Sequence, residues 1–197
     1  MRRIGITGSI ATGKSTLLAA FAKAGVPVLS ADDVVAELYA GPAIAPVEAL
    51  FPGVAKHGRI DRQDLARRLA ADPSGFARLE AVVHPLVRER IAQFLTAAET
   101  AGEALAAVEV PLLFESGHDY DLDAIAVTHV DETIQQERIL ARPGMDVDKM
   151  QTMLARQLPQ AEKMKRATWL FDTAQPRRAI DDQVAELVAG IRAETQA

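Results

Sequence analysis

Gly8-Ser9-Ile10-Ala11-Thr12-Gly13-Lys14-Ser15 is the stretch on which the fold turns. It fits the pattern G-x-x-x-x-G-K-[ST], and its flanks agree. Residues 3–7 form a short β-type run before it, and residues 17–24 read as helix after it. In such a P-loop, successive backbone N–H groups curl around a phosphate oxygen, in conformations and at approaches that glycine tolerates best. The helix beginning near Lys14 adds the positive end of its dipole. Lys14 brings a mobile cation to the outer phosphates, and the Ser15 hydroxyl can ligate Mg2+. Gly8, Ala11, Thr12, Gly13, Lys14, Ser15 and Thr16 are therefore the residues expected to bind nucleotide.

Outward from this loop the strand–loop–helix alternation continues. Residues 26–29 are a second apolar run, and Ser30 or Asp32 is placed to cap a helix through Tyr39. Residues 105–110, 124–130 and 169–171 regain strand character, with helix over 132–141 and a closing amphipathic helix over 176–195. The expected fold is an α/β parallel sheet of about five strands flanked by helices. Between residues 40 and 100 no convincing strand appears. Residues 41–58, rich in proline and glycine, read as a connection with one short helix. Helices are expected over 61–71, 73–81 and 85–100, the last starting at Pro85. The core is thus expected over 1–40, 103–141 and 167–197, with a helical insertion over 41–102. A polar, charged segment spans 142–166.

Composition narrows the classes. The chain has 197 residues, which at roughly 150 per domain is one domain with room for an insertion. The formal charge of −5 disfavours a nucleic-acid partner held by bulk charge. The absence of cysteine removes disulfides and thiolate chemistry and suits a reducing cytoplasm. No apolar run nears the ~18 residues that span a bilayer, so no membrane partner is expected, and the N-terminus carries too little apolar content for a secretory signal. With no asparagine anywhere, the Asn-Lys-x-Asp element by which GTPases read guanine is missing, and so is the Ser-Gly-Gly signature of transporter ATPases. A chain this short, with a helical insertion after the second strand and a charged segment late, suits a small-molecule kinase, in which the insertion holds the acceptor and the late segment closes over ATP.

Beyond the loop, further segments resemble the dephospho-coenzyme A kinases. These are Thr7 to Thr16, Gly25-Val26-Pro27-Val28 leading to Ser30-Ala31-Asp32, and Gly58-Arg59-Ile60-Asp61-Arg62 with Leu65. His84-Pro85, Val110-Pro111-Leu112-Leu113-Phe114-Glu115, Gln136-Glu137-Arg138 with Arg142, and Arg156-Gln157 with Lys163 complete the set. The resemblance implies transfer of the γ-phosphoryl group of ATP to the ribose 3′-hydroxyl of dephospho-CoA, with Mg2+. It also implies a CoA-binding role for 41–102 and a lid over 142–166; a monomer or weak homo-oligomer is expected. The chain departs from the family pattern at Ser30 and Glu109, where the family usually has Asp, and at Thr168, where an Ala-Asp pair is common.

Within that resemblance, Asp32 accepts a hydrogen bond from the attacking hydroxyl and orients it, or caps a helix; Asp33 and Ser30 compete for the role. Glu109 either holds the magnesium shell through water or is a strand-end acid facing solvent. Arg142, with Arg138 four residues before it on one helix face, either stabilises charge on the γ-phosphoryl group or stays solvated. Alternatives remain a kinase for another acceptor, such as a nucleoside or nucleotide, and a nucleotide-binding protein without transfer activity. His84 is a ligand contact or a structural residue, Trp169 packs the core, and His57, His118 and His129 are read as surface or loop residues. Arg59, Arg62, Arg67 and Arg68 either meet the acceptor's phosphates or form a solvated face.

Overall fold

The computed structural model describes residues 1–196, with side chains through Glu194. In chain order the elements are β1 (Arg2–Gly8), α1 (Lys14–Lys23), β2 (Val28–Ser30), α2 (Ala31–Leu38), α3 (Ile44–Leu50), β3 (Ala55–Lys56), β4 (Arg59–Ile60), α4 (Arg62–Ala71) and α5 (Gly75–Thr100). They are followed by β5 (Leu105–Glu109), β6 (Ala124–His129), α6 (Glu132–Leu140), α7 (Val147–Ala155), α8 (Gln160–Lys165), β7 (Trp169–Asp172) and α9 (Arg177–Gln196). The chain forms two compact units, Ala31–Phe94 and the remainder.

The larger unit holds a five-stranded parallel sheet in the order β2-β5-β1-β6-β7. Its central strands are buried on both faces and so read as apolar runs rather than alternation. On one face Ile4 and Ile6 of β1 join Leu105, Ala107 and Ala126 from its neighbours. Against them pack Leu17 and Phe21 of α1 and Ile180, Val184, Val188 and Ile191 of α9, spaced as one helical stripe. Trp169 packs on this cluster, as expected. The loop after β1 leaves the central strand at its carboxyl end. There the chain order of the strands reverses, the place where open parallel sheets bind ligands.

The smaller unit departs from expectation in two places. A short hairpin, β3 with β4, occupies residues 55–60, where no strand was expected. His57 and Gly58, at φ 51° and 74°, form the tight turn whose hand matches strand twist. Such two-residue strands leave no period to read. Residues 75–100 form one helix, so Pro85 neither starts a helix nor ends one. Interior proline costs about 3 kcal/mol locally. The buried positions Leu79, Val83, Val87 and Ile91 stay in phase across it, and their burial offsets that loss. Asp61, expected as the first residue of a helix over 61–71, instead caps α4, accepting the N–H groups of Gln63 and Asp64. Its bond from Lys56, together with those N–H groups, holds its carboxyl down to about 2.

Ser30 is not a helix cap. It is the last residue of β2, its hydroxyl turned to a neighbouring strand. Among the described residues no helix is long and apolar enough to cross a membrane.

Candidate active site

The loop from Gly8 to Gly13 takes a backbone path that few residues follow. Gly13 lies at φ 84° and Ala11 at φ 60°. The left-handed region costs a residue with a Cβ roughly 1–2 kcal/mol, so Ala11 must be held there by its surroundings. Those surroundings are polar and buried. Thr12 Oγ1 donates to the Ser9 carbonyl at 2.8 Å and lies 2.8 Å from Thr128 Oγ1 of β6. Thr173 Oγ1, just past β7, donates to the Thr12 carbonyl at 2.8 Å. Arg138 of α6 donates through Nη2 to the Thr173 carbonyl at 2.8 Å, and through Nη1 to Thr173 Oγ1 at 3.1 Å and the Ala11 carbonyl at 3.5 Å. Thr128 and Thr173 were not singled out in the sequence. Lone threonines at strand ends carry no spacing that marks them.

Helix α1 starts directly after Gly13 with no capping side chain and no acidic residue in its first turn, unlike α4, α6 and α7, each capped by an aspartate. An anion at that end would supply the missing cap. Lys14 Nζ donates to the carbonyls of Gly8 and Ser9 at 3.1 and 3.0 Å, folded back over the loop.

Glu109 ends β5, in register with Ser30 of β2 and Ile6 of β1. It is 7% exposed and accepts the Ser30 hydroxyl at 3.1 Å, so it is not a solvent-facing acid. Among the described residues no three His, Asp or Glu gather as a metal cage. Mg2+ needs none, taking one or two protein oxygens and completing its shell with phosphates and water. The Ser15 hydroxyl, exposed on the first turn of α1, and the Glu109 carboxylate fit that requirement.

The charged segment 142–166 resolves into α7 and α8. Arg142 is exposed in the turn after α6. The link between α7 and α8 is tied down. The Leu158 N–H donates to Glu115 Oε1 at 2.8 Å, and Gln160 exchanges bonds with the Val130 backbone. Lys163, fully buried, lies 2.8 Å from Glu115 Oε1. Burial pushes the Glu115 carboxyl up, but Lys163 and the Leu158 N–H outweigh it and hold the group below the usual glutamate range. The stability this pair supplies is therefore present above the ordinary glutamate pKa and is lost as pH falls through the lowered one. Lys163→Met is expected to cost about 3 kcal/mol in urea denaturation at pH 7, because it takes the cation from a largely buried carboxylate and leaves it with the Leu158 N–H. Adding Glu115→Leu should recover most of that loss. A cost of the single change under about 1 kcal/mol would place the pair with screened surface pairs.

Asp32 and Asp33 lie exposed in the first turn of α2, in the smaller unit. The four arginines noted in that unit divide. Arg67 and Arg68 pair with Asp64, while Arg59 and Arg62 line an open cavity of about 690 Å³ with Lys56 and Gln63. His84 is exposed in the middle of α5. His57 sits exposed at the hairpin turn, His118 stacks edge-on to Tyr120, and His129 is the last residue of β6 rather than a loop residue.

A family model described as dephospho-CoA kinase matches residues 2–176. Among similar proteins, the dephospho-CoA kinase of Rhizobium etli is 46% identical over 192 residues, covering 98% of this chain and 95% of that one. That of Brucella melitensis is 45% identical over 188 residues, covering 95% and 94%. A crystal structure from Thermus thermophilus superposes with a TM-score of 0.78 at 34% identity, covering 98% of this chain and 97% of that one. A dephospho-CoA kinase from Campylobacter jejuni shares the fold at a TM-score of 0.70 and 21% identity, covering 96% and 97%.

Proposed function

The chain belongs to the dephospho-CoA kinase family, and on that premise we propose how its residues carry the transfer of the ATP γ-phosphoryl group to the ribose 3′-hydroxyl of dephospho-CoA. The match over residues 2–176, with the phosphate loop intact inside it, carries this reading. The bond formed joins the acceptor 3′-oxygen to the γ-phosphorus; the bond broken joins that phosphorus to the β–γ bridging oxygen, and ADP leaves.

The loop amides and the uncapped start of α1 receive the phosphates, and Lys14 turns from the Gly8 and Ser9 carbonyls to the outer phosphate oxygens. Ser15 and Glu109 would hold Mg2+, which would neutralise phosphate charge when bound. Asp32 accepts a hydrogen bond from the 3′-hydroxyl and takes its proton. The loose transition state of phosphoryl transfer asks chiefly for orientation. Arg142, exposed at the start of the lid segment 142–166 and ahead of its tied α7–α8 link, stabilises charge on the transferred group. Arg138 holds the loop from beneath. Residues 41–102 bind the acceptor, with Arg59 and Arg62 as partners for its phosphates. The reaction is proposed for the cytoplasm, in keeping with a chain that has no cysteine.

An acceptor panel read by ADP release tests this. Dephospho-CoA is expected to give turnover; turnover only with a nucleoside, nucleotide or other acceptor would overturn the assignment. In the same assay Asp32→Asn should lower kcat by about 10²–10⁴-fold, the usual weight of general-base help, with the KM for ATP within twofold. An unchanged kcat would move the role to Asp33.

A further inference from the structure

The peptide groups on both sides of Ile10 are gripped. Its N–H donates to Gln157 Oε1 at 3.0 Å, and its carbonyl accepts from Gln135 Nε2 at 2.8 Å. Gln135 is buried on α6, and Gln157 lies half-buried in the tied link between α7 and α8. The Ile10 side chain is plugged into a small cluster with Ile139 and Met150. A trans peptide is planar, and its C=O and N–H point in opposite directions. Fixing the Ile10 carbonyl toward Gln135 therefore fixes the Ala11 N–H to point away from it. Ala11 is the loop residue with a Cβ held at φ 60°, a conformation it would leave if released.

We propose that Gln135 and Gln157 are positioning residues for ATP. They act through the Ile10 backbone to keep the Ala11 N–H aimed for a phosphate oxygen before the nucleotide arrives. The inference rests on the reading of residues 8–15 as the nucleotide site. Preorganised donors lower the penalty of binding, so the effect falls on nucleotide affinity and leaves the acceptor alone. Two glutamines that merely satisfied buried backbone groups would change stability without separating the two substrates.

The test compares wild type, Gln135→Met and Gln157→Leu. It measures ADP binding by titration calorimetry in magnesium buffer and the KM for each substrate. Each variant is expected to raise the ADP Kd and the ATP KM about tenfold, the scale of one lost hydrogen bond. The kcat and the KM for dephospho-CoA should stay within twofold. Adding Ala11→Gly to Gln135→Met should restore at least half of the lost affinity, because glycine takes a positive φ without strain. Unchanged ADP affinity in both variants, or an equal rise in both KM values, would overturn the proposal. So would the absence of any recovery with glycine. If Gln135→Met fails to fold, Gln157→Leu decides on the same criteria. Wild-type protein that failed to bind ADP would instead overturn the nucleotide-site reading itself.

Discussion

Lys14→Ala should lower kcat/KM by on the order of 10³-fold, at the upper end of what one lost preorganised donor costs. Two effects combine. The ammonium is the mobile cation of the loop, and its charge is most needed as the γ-phosphoryl group leaves the β-phosphate. Before nucleotide arrives it also donates to the Gly8 and Ser9 carbonyls at 3.1 and 3.0 Å, which holds it at the loop. Because Lys14 lies at the rim of the loop rather than under it, the fold should survive its loss, and the thermal midpoint should move little. Steady-state kinetics with ATP, alongside a melting curve, read both quantities. A kcat/KM within tenfold of wild type would remove Lys14 from the chemistry.

Gly8→Ala should abolish nucleotide binding and cost at least about 3 kcal/mol of stability, the upper range for overpacking. A Cβ at Gly8 would lie 2.7 Å from the Thr128 carbonyl oxygen and 2.7 Å from Thr12 Oγ1, and would also meet Thr128 Oγ1. The first of these is backbone. Gly8 and Thr128 are register partners in adjacent strands, so the carbonyl cannot retreat without parting β1 from β6. The second is the hydroxyl that ties the loop to its underside. Gly190→Ala is the matched control. Nothing lies within 4 Å of a Cβ there, inside α9, and the change should stabilise by about 0.5–1 kcal/mol. Urea denaturation of both variants, with ADP titration, checks the pair. A Gly8→Ala protein as stable as wild type and still binding ADP would show that the loop is less closely packed than described.

The phosphate loop was legible because its residue types answer to local demands. Glycine suits the close approaches and positive φ, and lysine and serine suit phosphate and metal. The main sheet was legible for a related reason, since strands buried on both faces must be apolar throughout. The fused helix across Pro85 and the short hairpin over 55–60 were not legible, because local signals opposed or lacked a period. The burial of Glu109 beside Ser30 was not legible either, since it depends on β2 and β5 standing side by side although far apart in the chain.

The chain order alone therefore determined the class of fold and the phosphate loop, each encoded within a dozen neighbouring residues or in a run of apolar ones, while the kind of reaction was carried by a resemblance spread from Thr7 to Lys163. Only the tertiary structure decided what holds that loop in place. Thr128, Arg138, Thr173, Gln135 and Gln157 come from β6, α6, the α7–α8 link and the end of β7, and their service to residues 8–13 exists only once the fold brings these together. A hydrogen bond between groups more than a hundred residues apart leaves no spacing to read. It is set by packing, and packing is a property of the folded whole.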